Sequence, residues 1–323
     1  MRLHVWLTAA FLLAPSFANA NTWNEPWHRE VVAAADTFGL YHVDSLTGNV
    51  AKVTLKQRVA GVPTPDHMDL DGYFLFTVTS SSSDHWSPWL KPGADYYLYL
   101  KQATPGHWQL PTPSAGSDGI LPGGDVEATY RISIYKASIS QRIYEMTESC
   151  IFAALHGAGC ERSDVRHFID EVTSQPVAVI SSSASSGERQ LFFEQHAALE
   201  TAALAKLPIA DDVVARFLDS AFFHVQISAL RYVGSSNRPD RYSVISTFVC
   251  DPSKTALARI VGVIVLEEND ARSEKSALVA CRANLKSDDV SLVRGLMDPR
   301  VGTRFPNNLG QAADSLLERW NSK

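Results

Sequence analysis

Apolar and polar positions fall into two regimes along the chain. Between residues 22 and 135 they make short, extended runs. Val50–Leu55 (VAKVTL) alternates with period two, as a strand with one buried face does. Val31–Val43 is apolar and extended in character, and Asp69–Thr79 (DLDGYFLFTVT) reads as a further strand. Tyr96–Leu100 (YYLYL) is a strongly β-favouring run, and Trp108–Leu110 follows a turn at Pro105-Gly106. Pro111–Gly124 reads as loop, and Arg131–Tyr135 as a last strand. Short strands separated by turns predict a small barrel or sandwich.

Near Ser140 the period changes to that of a helix. Ile143–Leu155 has helical spacing with Gly157 as its stop, and Ser163 caps a second helix running through Val172. Ser181–Gly187 (SSSASSG) reads as a flexible, exposed linker. Beyond it every segment is helical. Arg189–Leu207 carries Phe192, His196, Leu199 and Ala203 on one face, which makes His196 a core histidine. Helices follow from Asp211, over Val225–Val233 with a stop at Gly234, up to Asp251, over Thr255–Leu266, and from Asp288.

The helix ends Leu218-Asp219, Cys250-Asp251 and Met297-Asp298 lie 32 and 47 residues apart, and Asp211-Asp212-Val213 is echoed by Asp288-Asp289-Val290. Such periods fit stacked two-helix units that must share one apolar interior. Asp211–Gly234, with its Val225–Leu230 segment (VQISAL), resembles a HEAT repeat, and Arg241–Leu266 is similar to a second copy. The resemblance covers roughly residues 188–323 and implies a protein-binding scaffold. More weakly, Ala33–Phe38, the strand near Val53 and Tyr96–Lys101 resemble an OB-type barrel of the netrin or metalloprotease-inhibitor kind. That family's inhibitors use a cysteine at the mature N-terminus, which Asn21 does not supply. The expected fold is therefore α+β in two domains, with an OB-like barrel over 21–136 and a HEAT-like α-solenoid over 187–323. Connecting helices and the serine-rich linker fill 137–186.

The N-terminus reads as an export signal: Arg2, then the apolar Val5–Ala14 (VWLTAAFLLA), then Ala18-Asn19-Ala20 as the cleavage site. Cleavage after Ala20 would place the protein in the periplasm or outside the cell. No other segment reaches 18 consecutive apolar residues, so no transmembrane segment is expected in the mature chain. Four cysteines follow, Cys150, Cys160, Cys250 and Cys281. Three pairings are open; the HGAG turn favours Cys150–Cys160, which leaves Cys250–Cys281, and four free thiols are the alternative. A formal net charge of −6 argues against nucleic acid as a main partner.

Motifs for catalysis are sparse. Ser133-Ile134-Tyr135-Lys136, Ser235-Ser236-Asn237 and Lys254-Thr255-Ala256 occur in the order used by penicillin-interacting serine enzymes, but Ser133 sits in an extended stretch that would turn Lys136 away. The stretch from His67 lacks the carboxylates of a calcium loop at its first and twelfth positions. No metal and no cofactor is implied. Trp86 and Trp108, with nearby Asp84, His85 and His107, form a possible polar aromatic patch. His224, Gln226, Arg231, Arg259, Arg300 and Arg304 fall on or near the second helices of the repeat units, which usually line a solenoid's concave face. Met297–Pro306 (MDPRVGTRFP) is an unusual junction and a further candidate surface. The expected function is non-catalytic binding of another envelope protein or peptide. An envelope hydrolase or an inhibitor-like module built on the β region is the alternative.

Overall fold

The computed structural model describes residues 23–71, 75–80, 83–88, 90–132, 135–160, 162–285, 301–302 and 305–322. The export signal, the helix expected from Asp288, Ser133, Arg300, Arg304 and most of Met297–Pro306 lie outside them, as does the side chain of Trp86.

The described chain begins on β1 (Trp23–Asn24), paired in parallel with a late strand. Helix α1 (His28–Ala34) follows, where extended chain was expected. His28, Val31 and Val32 give it one buried stripe, and Glu30 accepts from the Trp27 amide to close its first turn. The extended stretch proper starts at β2 (Thr37–Thr47) and hairpins into β3 (Val50–Gly61). Asp69–Thr79 holds the ends of two strands, β4 (His67–Leu70) and β5 (Leu75–Ser80), the second pairing with β6 (Ser83–Pro88). Then come β7 (Asp95–Thr104), β8 (His107–Gln109) and β9 (Ser117–Gly119).

β2, β3, β4, β8 and β7 form a ring, because β7 also pairs back onto β2 through Tyr41↔Tyr96 and its neighbours. The result is a closed five-stranded barrel. Its interior holds Tyr41, Val43, Val53, Leu70, Leu98, Leu100 and Trp108. β7 is buried on both faces. Leu98 and Leu100 point into the barrel, while Tyr97 and Tyr99 join a second core with Phe38 and Tyr144. That two-sided burial explains an unbroken YYLYL run where a half-exposed strand would alternate.

β10 (Asp125–Thr129) and β11 (Lys136–Ser140) make a separate hairpin, replacing the single strand expected at Arg131. Helix α2 (Gln141–Leu155) starts from Ser140, whose side chain caps the Ile143 amide, and Gly157 takes φ 79° just beyond its end. α3 (Ser163–Ser174) comes next, with Ser163 as its first residue and Arg162 at the cap position. The serine-rich stretch ends in a cap: Ser185 and Glu188 bond reciprocally at the start of α4 (Ser186–Ala205). α5 (Asp211–Leu218), α6 (Phe223–Ser235), α7 (Arg241–Cys250) and α8 (Ala256–Glu268) match the expected helical positions. Gly234 does not stop α6. It lies inside the helix, facing Val265 of α8, and lets the two backbones approach. α9 (Lys275–Ala280), β12 (Val301–Gly302), which is the partner of β1, and α10 (Leu309–Ser322) complete the chain.

Neighbouring helices pair, α3 with α4, α5 with α6 and α7 with α8, while α4, α6 and α8 pack side by side. One apolar cluster runs from α1 and β7 through α2 to α10. The fold is thus mixed α+β, an N-terminal barrel followed by a helical region. Disulfides Cys150–Cys160 and Cys250–Cys281 tie α2 to the segment before α3 and α7 to the turn after α9. Two disulfides point to an oxidising, extracellular environment. Among the described residues no helix is long and apolar enough to cross a membrane.

Candidate functional site

Two arginines from separate elements share one carboxylate. Glu200 sits in the middle of α4 and is fully buried. Its Oε1 accepts from Arg131 Nε at 3.2 Å, and its Oε2 accepts from Arg231 Nε at 3.0 Å. Arg131 follows β10; Arg231 is on α6. Helical spacing builds the rest. His196 is one turn before Glu200 on α4, and His224, Ser228 and Arg231 recur at four and three residues on α6.

Arg131 Nη2 donates to Ser228 Oγ at 2.5 Å and to the His224 carbonyl at 3.2 Å, with His196 Nδ1 at 3.3 Å. Its guanidinium also lies 4.5 Å from the Tyr135 ring centre. Burial, then the charges of Arg131, His224 and Arg231, hold His196 well below the ordinary histidine range. Burial and Arg131 lower His224 to about 4. Ser228 Oγ is 2.7 Å from His196 Nδ1, a hydroxyl beside a neutral imidazole. The cavity next to this pair has a volume of only about 10 Å³, room for one water at most and for no substrate. The core position expected for His196 is what the structure shows.

Arg231 differs from Arg131 in what its far end meets. Its guanidinium carbon lies over the Trp27 ring, 4.1 Å from the centroid, and Glu200 fixes Nε. The residue is 7% exposed, yet Nη1 and Nη2 make no hydrogen bond among the described residues. Arg231 contributes to the wall of an open cleft of about 310 Å³. The C-terminal ends of α4, α6 and α8 converge there, at Lys206, Ser235 and Glu268. α1 adds Arg29, and the loop after α6 adds Ser236, Asn237 and Arg241.

Positive charge exceeds negative in this cleft. Arg29 pairs with Glu268 at 2.7 Å. Lys206 has no carboxylate partner among the described residues. Among the described residues Arg241 bonds only neutral groups, the Arg238 carbonyl and the Tyr242 hydroxyl, and its buried Nε meets no partner. The helix ends carry partial negative charge of about half a unit each, so the excess is moderated but not cancelled.

The other expected site residues are placed elsewhere. Trp108 fills the barrel interior at 3% exposure and forms no surface patch. His224 is packed among Phe222, Phe223 and Tyr135. Gln226 is buried, donating to the Ser220 carbonyl and accepting from Thr255. Arg259 is buried and bonds the Val249 and Asn284 carbonyls, joining α7 to the turn after α9. These three act within the protein, because each reaches a partner on a neighbouring segment. Lys136 bonds Asp118 and Thr129, Lys254 bonds Asp219, and Ser235 and Ser236 cap carbonyls of α6, so these four residues of the serine-enzyme motif have separate partners. No group of three metal-ligating side chains occurs among the described residues. Of the expected binding residues that are described, Arg231 alone lines the cleft. Arg29, Lys206 and Arg241 carried no local signal, since their meeting depends on three helices ending at one level.

No family model, curated protein or solved structure matches the chain.

Proposed function

We propose that this is an exported, non-catalytic binding protein of an oxidising envelope compartment, periplasmic or secreted, that captures another envelope protein or peptide. The observation that carries the reading is Arg231: a guanidinium held by Glu200 and Trp27, on a residue that lines an open cleft and whose outer nitrogens bond nothing among the described residues. Preorganised cations of this kind suit recognition, because little further order is lost when a ligand arrives. Export is supported by the signal-like residues 1–20 and the two disulfides. The successive pairs α5/α6 and α7/α8, with α4, α6 and α8 side by side, support a HEAT-like solenoid over 187–323, with 21–136 as the barrel unit. The test is cross-linked capture from native envelope with wild-type protein and with a Lys206→Glu/Arg241→Glu variant. Partners that depend on the cleft are lost in the variant. Partners retained undiminished would end this choice of surface.

A further inference from the structure

The cleft holds two kinds of polar group, and together they narrow the chemistry of what it takes. On one side are cations: Arg231, whose terminal nitrogens make no hydrogen bond among the described residues, flanked by Arg29, Lys206 and Arg241. On the other are acceptors: the carbonyl-bearing ends of α4, α6 and α8, with Glu268 and Asn269. The last carbonyls of a helix lack intrahelical donors. Several are already used here: Ala202, Tyr232, Val233, Val265, Leu266 and Glu267 accept from the residues that follow their helices, so a ligand can use only the carbonyls that remain.

A planar guanidinium fork fits two oxygens of a carboxylate or a phosphate equally well in shape. The surroundings distinguish the two. A phosphomonoester dianion carries close to two charges and offers acceptors only, so it would be held near three negative helix ends and Glu268 with nothing to give them. A peptide carboxylate carries one charge, and its own backbone N–H groups can donate to those same ends. The volume of about 310 Å³ is at the small end for a ligand site and suits the terminal segment of an extended chain.

We propose that the cleft is a subsite for a peptide carboxylate, with Arg231 Nη1 and Nη2 holding its two oxygens and the helix ends receiving the peptide N–H groups. This rests on the binding-protein reading above and names the chemistry of its ligand. Trp27 is a positioning residue: its ring supports the guanidinium and fixes the plane of the fork. The carboxylate can come from a chain terminus or from an Asp or Glu side chain, and the two sources separate experimentally.

The experiment uses the purified, disulfide-intact protein and fluorescently labelled hexapeptide pools read by anisotropy. One pool has a free C-terminal carboxylate and no Asp or Glu. A second is C-terminally amidated but contains Asp and Glu. A third is amidated and lacks both. The first or second pool binds, identifying a terminal or a side-chain source, and the third binds at least tenfold more weakly. Arg231→Lys, which keeps the charge but loses the fork, weakens the preferred pool by about tenfold. Lys206→Gln, at an exposed position, weakens it by a smaller factor and controls for any folding defect of the Arg231 variant. Equal binding of the third pool, or no change with Arg231→Lys in a folded protein, overturns the carboxylate proposal. So does inorganic phosphate binding more tightly than every peptide pool. If no pool binds, the proposal also fails, and capture from native envelope with the charge-reversed cleft then decides separately whether the binding reading survives.

Discussion

Neutralising Glu200 is the most direct test of the junction. The carboxylate is fully buried, and each oxygen serves a different guanidinium, Arg131 at 3.2 Å and Arg231 at 3.0 Å. Glu200→Gln keeps the volume but can accept at one oxygen only. Its amide nitrogen then meets the other arginine donor to donor. Removing one partner of a buried ion pair costs about 3–5 kcal/mol. Two features place this case near the lower end. Arg231 opens onto the cleft and can be hydrated there, and Arg131 retains Ser228 and the His224 carbonyl. The expected loss is therefore about 3 kcal/mol. Urea unfolding at pH 7, followed by tryptophan fluorescence and near-ultraviolet circular dichroism, measures it as a lower midpoint at unchanged slope. Replacing the whole network by apolar residues (Glu200→Leu, Arg131→Met, Arg231→Met) should recover most of the loss, because no buried charge is then left unpaired. A loss below about 1 kcal/mol for Glu200→Gln would show that the three charges are not coupled as described.

Further outcomes follow from features elsewhere in the fold. Removing Cys250–Cys281, whose cysteines lie 31 residues apart, should destabilise by about 4 kcal/mol, against about 3 kcal/mol for Cys150–Cys160 at a separation of 10, if loop entropy dominates. Paired-serine variants compared by urea unfolding would disprove this by giving the reverse order. His196 and His224 are lowered from the ordinary 6.5, His224 to about 4, so the unfolded chain binds protons on them first as the pH falls. Stability contributed by the two is complete above about 6.5 and declines towards pH 4, and His224→Gln should flatten that decline. An unchanged slope would remove His224 from the account. His28 has the opposite sign: burial opposes its proton but Glu148 outweighs that, so its contribution is full below 6.5 and is lost as the pH rises. Gly262→Ala should cost about 1–3 kcal/mol, because a Cβ there would lie 2.6 Å from Val249 Cγ2. Val249→Ala in the same chain should restore part of it, and no restoration would locate the strain elsewhere.

Period alone revealed much of the fold. The alternation of Val50–Leu55 gave a true barrel strand, and Phe192, His196, Leu199 and Ala203 gave the buried face of α4. Misreadings arose where local pattern was ambiguous. α1 has only seven residues, too few for a helical period to stand out from an apolar stretch. β10 and β11 are five residues each, rich in small and polar side chains, and are recognisable chiefly by their pairing. Gly234 looked like a stop because glycine usually ends helices; here a neighbouring helix selects it for thickness. The site was less legible still. An arginine on a helix reads as solvent-facing until its partner is known, and Glu200 lies 31 residues from Arg231, with Trp27 on another element altogether. Trp108 is hard to place from sequence for a related reason. Its strand is three residues long, and only barrel closure through Leu70↔Trp108 shows which way it points.

The double-sided burial of β7 limits how this protein can be divided. A fragment ending at residue 136 would retain every strand of the ring but lose α2, the cover over Phe38, Tyr97 and Tyr99. One wall of the isolated cylinder would then become a continuous aromatic surface in water, of the kind that drives self-association. Arg131 would in the same cut lose its counter-charge. The cylinder is therefore no portable module: shuffled onto another chain without its helical neighbour, it would be expected to precipitate rather than to fold as a soluble unit.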